Sequence, residues 1–171
     1  LSMKFSKNIL IANNAFKKDF GVDVANYYDV IAETDDRAKR KAMFSAYVSR
    51  GFHEGENDNR PVLIELLKLR KERATLLGYK SSADYFNEPR MASDAKTAYN
   101  FLLPIVKAAA SKAKEEIVEL KKLFDADIKK GVLPPLAKFE PWDLLYYLAR
   151  YKKSKYSYSL SNTDSLIVPI V

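Results

Sequence analysis

The chain lacks most of the residues that support thiol and metal chemistry. Its 171 residues include no cysteine and a single histidine, His53. The absence of cysteine excludes disulfide bonds, thiolate ligands for zinc and cysteine nucleophiles. Because a cysteine-free protein can work in either a reducing or an oxidising compartment, the sequence leaves the location open between cytoplasm and periplasm.

Glycine and proline are also scarce, with 5 and 7 residues, which suits helices better than many short strands. No run approaches the roughly 18 apolar residues of a membrane span, so we expect no membrane association. The N-terminal segment has neither a long apolar stretch nor a small-residue cleavage site, and no signal peptide is predicted.

His53 and Glu54 look like the start of the zinc-protease motif His-Glu-x-x-His. That motif places a second histidine one helical turn later, so that two imidazoles face one metal ion. Here that position is Asn57, and the flanking Gly51 and Gly55 favour a turn over a helix. We therefore assign no metal-binding, catalytic or cofactor-binding residue in this chain, and we expect no cofactor in it.

Other candidate chemistry is equally weak. Ser81 and Ser82 lack the glycine pattern that surrounds a nucleophilic serine. Glu115, Glu116 and Glu119 lie on a lysine-rich helix, where they are interpreted as solvated ion-pair partners rather than as a carboxylate cluster. The aromatic residues near the C-terminus are interpreted as core or groove lining: Trp142, Tyr146, Tyr147, Tyr151, Tyr156 and Tyr158.

The net charge of +7 has two interpretations. One is an acidic partner such as nucleic acid, which would make the chain a freestanding basic binding module. The other is a solvated helical surface with an excess of lysine. The second is favoured, because acidic residues interrupt the basic ones along the chain.

Apolar residues recur at spacings of three and four, which is the pattern of amphipathic helices. This pattern predicts helices over residues 3–20, 35–52, 58–77, 81–88, 93–130 and 141–156. The predicted fold class is all-α: an irregular multi-helix bundle with one long helix, kinked at Pro104. The only segment with a strand-like pattern is the closing one, residues 165–171.

Local signals predict where helices begin and end. Gly21, Gly51 and Gly78 are expected to end helices, because glycine readily adopts the left-handed conformation found there. Asn57 or Asp58 is expected to cap the helix that follows the segment around His53.

The same spacing predicts which side chains face a core. The predicted stripes, in chain order, are Phe5, Ile9, Ala12 and Phe16; Ala42, Met43, Ala46 and Tyr47; Leu63, Leu66, Leu67, Arg70, Ala74 and Leu77; and Ala98, Phe101, Leu102, Ile105, Ala109, Ala113, Ile117, Leu120 and Phe124.

Several separated motifs resemble, in the right order, the zinc oligopeptidases of the thimet oligopeptidase and peptidyl-dipeptidase family. They are Arg50-Gly51, Asp58-Asn59, Leu69-Arg70, Ala74 through Tyr79, Ala83-Asp84-Tyr85, Arg90-Met91-Ala92, and Pro141-Trp142-Asp143 followed by Tyr146 and Tyr147. The likeness covers most of residues 1–160, is nearer to the peptidyl-dipeptidase branch, and stops after about Ser161. The stretch from Gly21 to Thr34 is shorter than expected for the family.

The resemblance implies a zinc-dependent parent protein that hydrolyses short peptides inside a deep channel. It also implies that the zinc-binding His-Glu-x-x-His and the substrate-holding residues lie in a catalytic half beyond this region, so no family site residue carries over to any position here. Residues 1–171 are then a single helical domain or fragment that forms part of the channel wall and is inactive alone. Its expected partners are the missing catalytic half, short peptides in the parent, and a second copy of the fragment through self-association.

Overall fold

The computed structural model describes residues 1–52 and 54–156, and this part of the chain contains helices and connecting segments but no strand. The prediction of an all-helical fold is confirmed, whereas the strand-like residues 165–171 lie outside the described residues. The α-helices are α1 (Ser2–Phe20), α2 (Tyr27–Glu33), α3 (Arg37–Val48), α4 (Asn59–Leu76), α5 (Ser82–Asn87), α6 (Ala95–Lys129) and α7 (Leu144–Tyr156), with 3-10 turns at Val24–Asn26 and Pro141–Asp143. Among these described helices, none combines the length and apolar character required to cross a membrane.

The predicted helix ends follow from local chemistry. Gly21 adopts the left-handed conformation (φ 68°), and its N–H donates to Lys17 O. Gly78 (φ 82°) ends α4 in a Schellman motif, in which the N–H groups of Gly78 and Tyr79 donate to the carbonyls of Thr75 and Ala74.

The predicted cap of α4 is also present. The Asp58 carboxylate accepts a hydrogen bond from the backbone N–H of Arg60, so of the two candidates Asp58 is the N-cap. The second predicted helix is shorter than expected. It begins at Arg37 because Asp36 caps it, and it ends at Val48 rather than at Gly51.

Helix α2 was not predicted. It has seven residues, fewer than the roughly 12–15 that an isolated helix needs to be even marginally stable in water. Tyr27 and Ile31, one turn apart, are both buried, and Tyr27 stacks on Tyr47 with ring centroids 3.7 Å apart. Tertiary packing therefore stabilises a helix for which the sequence gives only a weak periodic signal.

The chain forms two compact units, each described by itself. Unit 1 comprises Leu1–Gly21 and Val48–Glu115, and unit 2 comprises Val22–Tyr47 and the chain from Glu116 onward. Helix α6 therefore contributes its N-terminal part to unit 1 and its C-terminal part to unit 2.

Unit 1 packs α1 against α4 around a polar junction. The side chain of the buried Asn59 accepts a hydrogen bond from Asn8 Nδ2 (2.9 Å) and donates one to Phe5 O (3.1 Å). The buried apolar side chains of the unit are few: Ala12, Phe16, Val62 and Ala74. The predicted stripe of α1 is confirmed at Ala12 and Phe16.

The predicted stripe of α4 is confirmed at Ala74 but is wrong at most of its other positions. Leu63, Leu67 and Leu77 are exposed, and Val62, which was not in the stripe, is buried beside the polar junction. The helix has apolar residues on more than one side, so periodicity alone did not identify the side that packs against α1.

Unit 2 contains an apolar core cluster formed by Leu120, Phe124, Leu133 and Tyr147. Phe124 makes edge-on contacts with Tyr147 and with Phe139, with centroids 5.5 and 5.4 Å apart. The predicted stripe of α6 is therefore confirmed at its C-terminal end.

The remaining predicted stripes are only partly confirmed. In α3, Met43 is fully buried but Ala42 is exposed. In α6, Phe101, Leu102 and Ile105 are exposed. The helix runs unbroken through Pro104, and the kink there stays a prediction.

Candidate functional site

The best-organised polar cluster lies in unit 2, around the fully buried carboxylate of Asp143. Arg37 binds it with two nearly parallel hydrogen bonds, Nε to Oδ1 at 3.0 Å and Nη2 to Oδ2 at 2.8 Å. Arg40 adds a third from Nη2 to Oδ1 at 3.1 Å, and the backbone N–H of Glu140 adds a fourth to Oδ2 at 3.0 Å. We call Arg37, Arg40 and Asp143 the arginine clamp.

Local sequence explains how the clamp forms. Arg37 and Arg40 are three residues apart on α3 and so project from one side of the helix. Asp143 lies at the end of the 3-10 turn Pro141–Asp143, where it forms a capping box with Glu140. The clamp therefore joins the start of α3 to the start of α7.

Electrostatics favour the charged state of Asp143. Burial on its own raises the pKa of this carboxyl, but the hydrogen bonds from Arg37, from the Glu140 N–H and from Arg40 outweigh it, so that the pKa lies below its ordinary value.

The Arg40 guanidinium is almost completely buried and is held on two sides. Its Nη1 donates to the carbonyls of Thr34 and Asp35, at 2.8 and 2.9 Å, and its Cζ lies 4.0 Å from the ring centre of Tyr146. Within the described residues its Nε is a buried donor without an acceptor. The cation–π contact with Tyr146 offsets part of that cost.

A second buried carboxylate, Asp127, lies on the same stripe of α6 as Leu120 and Phe124. Tyr147 Oη donates to its Oδ2 at 2.9 Å, and Arg150 binds both of its oxygens. Burial and the bond to Asp127 raise the pKa of Tyr147 well above its ordinary value, so its hydroxyl remains a donor at neutral pH.

Next to Asp127 a groove of about 1110 Å3 runs between α2 and α7 of unit 2. We call it the unit 2 groove. Side chains of both charges and two tyrosines line it, among them Tyr28, Asp29, Glu33, Tyr146, Arg150 and Lys153. The groove therefore offers hydrogen-bond donors and acceptors beside an apolar surface formed by Ala32, Val132, Leu145, Leu148 and Ala149.

The lining of the groove includes one serine hydroxyl among the described residues, that of Ser154. This hydroxyl donates a hydrogen bond to Tyr151 O at 2.9 Å, so it serves to pair a backbone carbonyl of α7. Over residues 1–52 and 54–156, no three histidine, aspartate or glutamate side chains lie close enough together to hold a metal ion. The described residues therefore do not fit a catalytic zinc, while His53 lies outside them.

The glutamates and the serine that the sequence analysis weighed as candidate reactive groups form ion pairs and a helix cap instead. Glu115 and Glu119 form exposed ion pairs with Lys112 and Lys122, at 3.2 and 2.7 Å, as the interpretation of solvated partners predicted. Ser81 caps α5 by accepting a hydrogen bond from the Asp84 N–H.

The prediction that the C-terminal aromatics line a core or a groove is confirmed at Tyr147 and Tyr146 and is wrong at Tyr156. Tyr147 is in the core, Tyr146 lines the groove, and Trp142 packs edge-on against Phe44. Tyr156 is exposed, and Tyr158 lies outside the described residues.

Sequence reasoning missed the arginine clamp and the Asp127 cluster. A signal for Asp127 was present, because this carboxylate continues the apolar spacing of Leu120 and Phe124, and a charge on an apolar stripe indicates a buried ion pair. Arg37 and Arg40 carried no comparable signal, because their partner Asp143 is about a hundred residues further along the chain.

Comparisons with known proteins agree with the motif-based resemblance. Oligopeptidase A of Salmonella typhimurium is 32% identical over 142 residues, covering 81% of the chain and 20% of the relative. Oligopeptidase A of Escherichia coli matches with the same identity and coverage. Dipeptidyl carboxypeptidase of Escherichia coli is 30% identical over 126 residues, covering 74% of the chain and 18% of the relative.

These identities bear on the expected branch of the family. Oligopeptidase A matches at least as well as dipeptidyl carboxypeptidase, so the expected preference for the peptidyl-dipeptidase branch has no support. The chain spans about a fifth of the length of the curated relatives it matches. No solved structure matches the chain significantly.

The sequence profile described as peptidase family M3 matches residues 30–166. It continues a few residues beyond Ser161, so the predicted end of the likeness was too early. The profile covers most of the chain, and an oligopeptidase A relative that covers 81% of it is 32% identical. The chain therefore belongs to peptidase family M3.

Proposed function

We propose that the chain is a helical, non-catalytic part of a zinc-dependent M3 metallopeptidase that hydrolyses short peptides, and that it is inactive alone. The observation that carries the proposal is that residues of the family motifs take part in packing, backbone turns and ion pairs. The motif residues described below stabilise local structure rather than present a reactive group.

Gly51 and Asn59, from the motifs Arg50-Gly51 and Asp58-Asn59, form part of the unit 1 junction. Gly51 adopts φ 76°, and a Cβ there would lie 2.9 Å from Ile9 Cδ1 and 3.1 Å from Asn59 Nδ2. The N–H of Asn59 donates to Gly51 O at 2.8 Å. These contacts hold Gly51 against Ile9 of α1 and Asn59 of α4.

Other motifs serve packing in the same way. Tyr85, from the motif Ala83-Asp84-Tyr85, packs edge-on against Tyr79, and the Arg73 guanidinium lies 4.8 Å from its ring centre. Asp143, from the motif Pro141-Trp142-Asp143, is the buried acceptor of the arginine clamp. A family signature used for packing and ion pairing supports a scaffold role.

The zinc chemistry of the parent would be supplied by residues outside this chain, and we assign no step of it to residues described here. The proposal of inactivity rests on one histidine, no cysteine, and Asn57 in the place of the second histidine of His-Glu-x-x-His. Neither buried carboxylate is free to act as a base, because both are already paired with arginine.

The unit 2 groove is the surface that we assign to the channel wall. Its tyrosine hydroxyls and charges of both signs suit the backbone and the charged ends of a short peptide. Lys153 is the residue of choice for a test, since no hydrogen bond or ion pair that holds the clamp or Asp127 depends on it.

The experiment compares the 171-residue chain with the full-length product of its gene. Both are assayed with internally quenched short peptides, with and without added zinc. We expect zinc-dependent cleavage by the full-length protein alone. Lys153→Ala should raise its KM more than it lowers kcat, whereas Lys114→Ala, at an exposed lysine of α6, should change neither.

Cleavage by the isolated chain that is abolished by His53→Ala would contradict the proposed inactivity. A full-length product of 19.5 kDa without peptidase activity, and with salt-dependent binding to nucleic acid, would replace the proposal by the basic binding module.

A further inference from the structure

The N-terminal part of α6 carries a bare apolar strip. Tyr99, Leu102, Ile105 and Val106 are 62, 53, 51 and 59% exposed. Their spacings of three, three and one place them on one side of the helix, together with the exposed Ala109 and Ala113. We call Tyr99, Leu102, Ile105 and Val106 the α6 strip.

The strip repeats the register of residues that are buried elsewhere in the same helix. Leu102 and Leu120 are separated by 18 residues, as are Val106 and Phe124, and this separation corresponds to about five helical turns. Leu120 and Phe124 are only 2% exposed in the core of unit 2. The sequence therefore has the same core-facing pattern in both halves of α6, but only one half has a core to face within the described chain.

Charge is absent from the strip. Lys96, Lys107 and Lys114 lie more than about 100° around the helix from Leu102. The four side chains leave on the order of 400 Å2 bare, a size at which an apolar patch usually marks an interaction surface. A charge-free apolar surface is typical of permanent rather than transient contacts.

We propose that the α6 strip is covered by the remainder of the parent polypeptide, meaning the part that corresponds to the unmatched length of its relatives. The matched region makes up only 20% of each of these relatives, so a parent of similar length would lie mostly outside the chain. This inference rests on the proposed function and names the surface of this chain that meets the catalytic part.

A second copy of the chain is a poorer occupant. A standard stable interface buries about 800 Å2 on each partner, roughly twice the area of the strip. A contact within one polypeptide does not bear the loss of translational and rotational freedom that dimerisation costs, so a smaller surface suffices. Area therefore favours the remainder of the parent over a copy.

The experiment uses the full-length gene product and the 171-residue chain, both at low concentration. Carbene footprinting reports side-chain accessibility at Tyr99 and Leu102. We expect strong labelling of both residues in the 171-residue chain and a several-fold loss of labelling in the full-length protein.

A charge substitution gives an independent readout. Leu102→Lys should lower the melting temperature of the full-length protein and leave that of the 171-residue chain unchanged. The matched control is Ser111→Lys, which is exposed on the opposite side of α6 and should change neither protein.

Equal labelling of the strip in the two proteins, or an equal effect of Leu102→Lys on both, would overturn the proposal. A gene product of 19.5 kDa would also overturn it and leave a second copy as the occupant. If the full-length protein cleaves peptides but the α6 strip is still labelled, the strip is not the contact surface and the proposed function stands. If the α6 strip is protected but no peptide is cleaved, the contact stands and the proposed function fails.

Discussion

Arg37 binds Asp143 through two hydrogen bonds, Nε–Oδ1 at 3.0 Å and Nη2–Oδ2 at 2.8 Å, across about a hundred residues of sequence. This contact, with Arg40 as a second donor to the same carboxylate, joins the first turn of α3 to the turn before α7. It is the long-range polar contact on which we expect the stability of unit 2 to depend most.

Asp143→Ala should destabilise the chain by about 3–5 kcal/mol, because it leaves the guanidinium of the buried Arg40 without its carboxylate. Chemical denaturation followed by circular dichroism measures the effect. The control is Glu115→Ala, which removes an exposed ion pair with Lys112 and should cost no more than about 1 kcal/mol. Similar losses in the two variants would show that the clamp is energetically unimportant.

Stability should fall in acid because of Asp143 and Asp127. The pKa of each lies below its ordinary value of 3.8 in the folded chain, so each contributes stability that is present above that value and is lost as pH falls through the lower folded pKa. Denaturation midpoints between pH 6 and pH 2 should decline mainly below pH 4. Asp143→Asn should flatten that decline, and an unchanged slope in this variant would contradict the assignment.

Gly51→Ala should be more destabilising than Gly21→Ala. Both glycines have φ near +70°, so both substitutions incur a left-handed cost of about 1–2 kcal/mol. Only at Gly51 would the new methyl group also crowd Ile9 and Asn59, whereas nothing lies within 4 Å at Gly21. Equal melting temperatures for the two variants would mean that the junction relaxes without cost.

The isolated chain should be marginally stable and should associate weakly as its concentration rises. Leaving on the order of 400 Å2 of the α6 strip bare forgoes roughly 10 kcal/mol of burial, which is comparable to the whole stability of a domain. Sedimentation and thermal melts over a concentration series measure this. Leu102→Lys should reduce the association, and a chain shortened to residue 156 tests whether the apolar C-terminal segment contributes.

A monomer at every concentration with a high, constant melting temperature would show that the chain is a complete domain. That result would favour the freestanding basic module over a part of a peptidase.

Local signals gave correct predictions wherever the interaction is local. Asp58, Gly21 and Gly78 mark helix ends because a cap or a left-handed residue satisfies backbone groups a few positions away. The family motifs were recognisable for a related reason, since each combines residues close together in sequence.

Predictions that needed a packing partner were less accurate. Helix α2 is too short for its own periodicity to indicate it, and Tyr27 and Ile31 stabilise it only through burial. Leu63 and Leu67 of α4 have the spacing of a core stripe but are exposed, whereas α1 contacts α4 at Asn59.

By itself the sequence determined the helical class, most helix boundaries, the family and the lack of a histidine pair for zinc, because each depends on residue types and short spacings. Only the tertiary structure decided that Asp143 and Asp127 are buried partners of arginines, and that α6 is covered near Leu120 and bare near Leu102. The physical reason is that burial and ion pairing depend on which distant surfaces meet, and amphipathic spacing specifies an apolar side without specifying what covers it.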